Sequence, residues 1–387
     1  MIIYIYLSIF FFLGIIKNEF FKNKKSDFLI FLIIFLFSFS YQMGSDWLSY
    51  QEWYEEIFIN LGWNNLFEQI SGLEGLEVGY VLLNIIFFNL GFSYELFMGT
   101  VLSVCSFIIL KFIQKESKNY YLAFYFFLIN GFLTTLLEPI ARQLIALTFF
   151  ITAIKYLKER KIYKYTFIIL VASLFHKSAF LLLPLYFVKH IKFTMKKFLL
   201  LTFFSKIVLN IFLGIIFLIL PKYANYLNSE RYMLRDGSLR MYIIYFYYIF
   251  ILFNIYRGAK KNENYTFSFT SLYIIVYFLA TYFPIIKRFD LYLLPFTSIS
   301  ISYVGEIHLF ENKSKVKSLF YTLITFLLFT GIFYKNYYLD DLNRFRYLNY
   351  KNYFIESSKG NIARNFYEKS SSYKEKIDIL QAEEKNN

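Results

Sequence analysis

Apolar stretches follow one another along this chain with little polar alternation inside them. They lie near 2 to 16, 28 to 41, 78 to 93, 96 to 113, 120 to 137, 140 to 157, 165 to 175, 178 to 191, 198 to 220, 241 to 256, 266 to 285, 289 to 305 and 318 to 334. Most are roughly 15 to 20 residues long, about one hydrocarbon core of helix. A helix that faces water on one side shows polar residues every three or four positions. Lipid offers the backbone no hydrogen-bond partner, so stretches of this kind adopt helices. The pattern predicts an all-α, polytopic integral membrane protein with about 12 transmembrane helices, in a range of roughly 11 to 13.

Charge then orients the threading. Basic connections lie at 17 to 25 (KNEFFKNKK), 155 to 164 (KYLKERKIYK), 189 to 197 (KHIKFTMKK), 257 to 261 (RGAKK) and 313 to 317 (KSKVK). Lysine and arginine are retained on the cytoplasmic side, so these five mark the inner face. The stretch 42 to 77 carries seven carboxylates and no lysine or arginine, and is expected outside. Strict alternation of thirteen spans places 155 to 164 outside, against the strongest basic cluster, so one stretch does not cross. Residues 78 to 113 hold the expected exception, because GFS at 91 to 93 divides two apolar pieces, one of them read as re-entrant or interfacial. Twelve crossings remain, with both termini outside.

The opening MIIYIYLSIFFFLGII lacks a basic region before its apolar stretch and lacks a small-residue cleavage pattern, so it is read as a retained first span. Residues 1–334 form a single transmembrane domain with outer loops 42–77 and 221–240. Residues 335–387 form a polar tail, Ser-rich and charged, with little order expected toward its end.

Composition agrees with this class. Of 387 residues 58% are hydrophobic and only 18% are charged, too few to solvate a soluble surface. The net charge of +14 comes largely from the inner connections, so it speaks for topology and against a nucleic-acid partner. The Phe, Tyr, Ile, Lys and Asn usage partly reflects coding bias, so the aromatic content is no sugar-binding signature. The single cysteine, Cys105, excludes a disulfide framework and a cysteine metal site. No GxGxxG, GxxxxGK[ST], HExxH or EF-hand pattern is present, which argues against an ATP-driven pump. No cofactor and no metal are expected.

The segment Glu138 to Phe187 carries the most chemistry. From Arg142 to Lys155 the chain descends about 20 Å, and from Lys164 to His176 it returns about 18 Å, at ~1.5 Å per helical residue. With the 158 to 164 turn inside, Arg142 and His176 share the outer face with loop 42–77. Arg142 either pairs with Glu138 one turn earlier or grips a lipid pyrophosphate, whose oxygens match the planar guanidinium. His176 is either a partly wet interfacial histidine or a base suited to neutral pH. His190 and His308 sit beside inner loops and match no metal spacing.

Loop 221–240 holds Arg231 and Arg235 on one helical face, suited to a second phosphate or an anionic sugar, or else paired with Glu230 and Asp236. Arg288, in KRFD, is a third candidate phosphate contact. Asp46, in GSDWLSY, is a candidate carboxylate for a sugar hydroxyl, as are Glu52, Glu55 and Glu56.

Four segments in this order, GSDWLSYQEWYE, EVGYVLLNII, ARQLIALTFFITAIKYL and ASLFHKSAFLLLPLYF, resemble the EpsG-like branch of the Wzy-type polysaccharide polymerases of O-antigen, capsule and exopolysaccharide. Weaker similarity runs through KRFDLYLLP to RYLNYKNYF, while QMGSDW lacks the aromatic residue or arginine often found near that motif. The resemblance implies a glycosyltransferase in the bacterial cytoplasmic membrane, with its site facing outward. It moves a growing glycan from one undecaprenyl pyrophosphate carrier onto the next lipid-linked repeat unit, without nucleotide sugar. Arg142, Arg231, Arg235 and Arg288 are the candidate phosphate contacts, and Gln143 the candidate substrate contact beside the first of them. His176 is the first candidate base and Asp46 the second, with Trp47 and Tyr50 as sugar contacts. Partners are the lipid-linked oligosaccharides, the bilayer, and chain-length regulator and flippase proteins. The alternatives are an O-antigen ligase or lipid-phosphate-sugar glycosyltransferase, and a non-enzymatic flippase. A membrane acyltransferase fits less well, because FHKS has no acidic residue beside it.

Overall fold

The computed structural model describes residues 24–43, 47–57, 76–117, 119–132, 135–136, 141–188, 196–205, 265–280, 284–309 and 351–359, with a few isolated positions besides. Their elements are helical: α1 Lys24–Phe37, α2 Trp47–Glu52 with a π turn Trp53–Ile57, α3 Val78–Asn89, α4 Tyr94–Glu116, and α5 Tyr120–Phe127 with a π turn Leu128–Phe132. There follow α6 Ala141–Lys158, α7 Ile162–Ser173, a 3-10 helix Lys177–Leu182, α8 Leu185–Val188, α9 Tyr265–Ala280, a 3-10 helix Pro284–Phe289, α10 Asp290–Leu309 and α11 Tyr353–Ser358. The expected spans 2 to 16, 241 to 256 and 318 to 334, most of 198 to 220, and loop 221–240 lie outside the described residues.

Local sequence sets several boundaries. Ser93 accepts from the Leu96 N–H and Asn119 from the Leu122 N–H, the caps that open α4 and α5. Glu95 in the first turn of α4 and Lys115 in its last complement the helix dipole. Between α3 and α4 the backbone turns at Gly91, φ +78°, where a side chain would be strained. That is the GFS interruption anticipated from the sequence.

Polar contacts sort to two ends of the bundle. At the basic end Lys111 pairs with Asp27 at 2.6 Å and Lys158 with Glu116 at 2.7 Å, while the Tyr265 hydroxyl donates to Glu116 at 2.8 Å. These residues open α1 and α9 and close α4 and α6. At the opposite, loop end Ser40 bridges Asn352, the Ser40 hydroxyl donates to the Leu136 carbonyl, and the Tyr94 hydroxyl donates to the Trp47 carbonyl. Thus α1, α4, α5, α6 and α9 each run from one end to the other, and α7 returns antiparallel against α6.

The helix α3 runs differently. Its first turn meets the end of α7, where the Gly79 N–H donates to the Leu174 carbonyl at 2.8 Å. Just past its last turn, the Phe92 carbonyl accepts from Tyr54 at 2.8 Å. Both of its ends therefore lie at the loop end. At 12 residues it spans about 18 Å, short of a bilayer core. A Cβ on Gly79 meets the Leu174 carbonyl oxygen at 2.8 Å, and a backbone atom cannot swing aside. Gly79→Ala is expected to lower stability by about 1 to 3 kcal/mol, read as the thermal midpoint in detergent.

Among the described residues α4 is long and apolar enough to cross a membrane, while α3, α7, α9 and others are shorter apolar helices. Outward surfaces are apolar as well: Phe28, Phe31 and Phe35 on α1, Val104 and Phe107 on α4, and Phe167 and Leu170 on α7 are all exposed. Such continuous exposed stripes suit lipid, not water. Between α9 and α10 the contact combines aromatic packing of Phe269 on Phe296 with small polar residues, Thr270 donating to Ser300 at 2.7 Å with both fully buried. Small polar residues of this kind let helices approach closely where no hydrophobic drive exists.

Candidate functional site

At the loop end, one carboxylate gathers three of the segments singled out in the sequence. Glu77 immediately precedes α3, makes no side-chain bond to that helix's first turn, and is 7% exposed. Its Oε2 accepts from Arg142 Nη1 at 2.8 Å, and its Oε1 from the Lys177 N–H at 3.1 Å. The fourth segment closes the set, because Arg142 Nε donates to the Tyr50 hydroxyl at 2.9 Å. Arg142 thus leans on an acid 65 residues upstream. Glu138, the partner weighed from sequence, lies outside the described residues.

His176 occupies the turn between α7 and the 3-10 helix, outside both. Its backbone is extended, and its Nδ1 caps the 3-10 helix by accepting from the Ser178 N–H at 3.3 Å. The Ser178 hydroxyl lies 2.6 Å from the same Nδ1 and 3.0 Å from the hydroxyl of Tyr292, which is fully buried on α10. Burial, aided by the charges of Arg142 and Arg288 and opposed by Glu77, lowers the His176 pKa to about 4. The acid that acts on His176, Glu77, comes from a distant segment and reaches it by charge alone, while the Nδ1 partner is Ser178.

Other expected contacts take different roles. Trp47 is 2% exposed and packs edge-on between Tyr41 and Tyr94 inside the core. Tyr50 is buried against Trp53 and Tyr80, and its hydroxyl steadies Arg142. Gln143 is also buried, and its amide donates to the Arg288 carbonyl, fastening α6 to the 3-10 helix before α10. Arg288 is exposed at the same end and within electrostatic reach of His176. Asp46, Arg231 and Arg235 lie outside the described residues.

Sequence reasoning overlooked Glu77, Ser178 and Tyr292. Glu77 had one signal, its place immediately before an apolar stretch, where an acidic residue satisfies a helix N-terminus. Nothing local distinguished it from the six other acids of its loop.

An apolar helical bundle with an ion pair and a histidine gathered at one end fits a membrane-associated protein with a polar site at its margin. The family model of the EpsG family matches residues 24–352, and the chain belongs to that family. The family is a membrane-associated one of polysaccharide biosynthesis. No curated protein and no solved structure matches the chain.

Proposed function

We propose that this protein polymerises undecaprenyl-pyrophosphate-linked oligosaccharide repeat units on the outer face of the bacterial cytoplasmic membrane. The observation that carries the reading is the Arg142–Glu77 pair held beside His176 at the end of the bundle that bears the acidic loop. The basic connections assign the opposite end to the cytoplasm. In this threading about twelve helices cross, and α3 lies along the outer interface with both ends on the same face.

The donor glycan leaves a pyrophosphate carrier, so negative charge grows on the departing oxygen. Arg142, joined by Arg288 and by Arg231 and Arg235 of the outer loop, stabilises it, and the preset ion pair keeps the guanidinium from reorganising during transfer. A base at the same end takes the proton of the acceptor hydroxyl. A flippase needs polar groups along a path through the bundle. Among the described residues the ionic groups concentrate at the two ends, and the middle of α4 and α6 is lined by Leu102, Cys105, Leu147 and Phe150.

The test supplies purified protein with one defined lipid-linked repeat unit and no nucleotide sugar. A ladder of longer lipid-linked chains is the expected product. Consumption of the unit only when a separate lipid-core acceptor is added establishes a ligase instead, and movement across vesicles without covalent change establishes a flippase.

A further inference from the structure

The Nδ1 of His176 is already occupied. A backbone N–H can only donate, so the Ser178 N–H at 3.3 Å requires a lone pair on Nδ1. A proton on Nδ1 would point into that N–H. The remaining hydrogen bonds fall into one consistent order: Tyr292 donates to the Ser178 oxygen, and the Ser178 hydroxyl donates to Nδ1. A neutral imidazole with an acceptor Nδ1 carries its proton on Nε2.

We propose that Ser178 and Tyr292 are positioning residues that lock His176 as a neutral imidazole with Nε2–H outward, so that it donates to the departing pyrophosphate instead of acting as the base. This rests on the polymerase reading. The acceptor hydroxyl oxygen then bonds to the anomeric carbon, and the bond from that carbon to the pyrophosphate oxygen breaks, its electron pair leaving with undecaprenyl pyrophosphate. The hydroxyl proton passes to a carboxylate exposed at the same end, with Glu52 on α2 the candidate. His176 keeps its proton throughout and supplies a hydrogen bond to the growing charge beside Arg142.

The charged groups acting on the imidazole fit this role. Glu77 lies on α3, Arg142 on α6 and Arg288 on the turn before α10, while Lys177 follows in the chain. Burial most strongly disfavours an imidazolium, and the two arginines add to it against Glu77. A donor that stays neutral still strengthens its bond as the leaving oxygen gains charge.

The experiment uses full-length protein labelled with nitrogen-15 histidine. His190→Gln and His308→Gln are included so that His176 gives the one imidazole signal. Long-range proton–nitrogen spectra are expected to show a protonated Nε2 and an unprotonated Nδ1 from pH 8 down to about 5.5, with no titration near the ordinary value of 6.5. Ser178→Ala and Tyr292→Phe are expected to raise the Nδ1–H population and to slow chain elongation about tenfold, with thermal midpoints close to wild type for Tyr292→Phe. A wild-type signal with Nδ1 protonated, or a titration near 6.5, overturns the proposal. So does wild-type elongation in both variants. Absence of a ladder from wild-type protein overturns the polymerase reading alone, because the nitrogen signals decide the imidazole state without substrate.

Discussion

Glu77→Ala is expected to lower stability by about 3 kcal/mol and to stop elongation. The side chains of the pair are 20% and 8% exposed, so Arg142 left alone keeps most of its burial and loses the charge that compensated it. The Lys177 N–H loses its acceptor at the same time, releasing the start of the 3-10 helix beside His176. Glu77→Gln retains an acceptor for that N–H but no charge for Arg142, and is expected to fold better than the alanine variant while elongating poorly. Thermal midpoints in detergent, measured beside ladder formation, separate the two effects. Wild-type stability in Glu77→Ala would mean that the pair is solvated.

Arg142→Ala is expected to slow elongation about a hundred- to a thousandfold, the loss typical of removing a preorganised group from developing negative charge. Arg142→Lys restores the charge but not the fork that reaches Glu77 and Tyr50 together, so only partial recovery is expected. The double variant Glu77→Ala, Arg142→Ala is expected to be more stable than the sum of the single effects predicts, by about 0.5 to 3 kcal/mol, because each single change strands a charge that the double change removes. Strict additivity in the thermal midpoints would show that the two side chains act independently.

Helix type and the grouping at the loop end were legible because each follows from a short-range rule. Arg142 and His176 reach the same end because a basic turn lies between two apolar helices of similar length, and counting the rise of each helix suffices. The break between α3 and α4 was legible for a similar reason, since Gly91 interrupts the apolar stretch there. The identity of partners was not legible. Glu77 lies 65 residues from Arg142, and its choice over the other acids of its loop depends on how α3 docks against Leu174. The packing of Trp47 and Tyr50, the candidate sugar contacts, against Tyr94 and Tyr80 on helices α4 and α3 was likewise not legible, because those partners lie far along the chain. Tyr292 is reached only through Ser178, 114 residues away.

The central claim is that Arg142, held by Glu77, stabilises pyrophosphate departure during glycan transfer. The measurement that meets it most directly is the initial rate of ladder formation from one defined lipid-linked unit, comparing wild type with Arg142→Ala preparations of matched thermal midpoint. A ladder from wild type and almost none from the folded variant is the predicted result. Ladders of equal rate and length from both would contradict it.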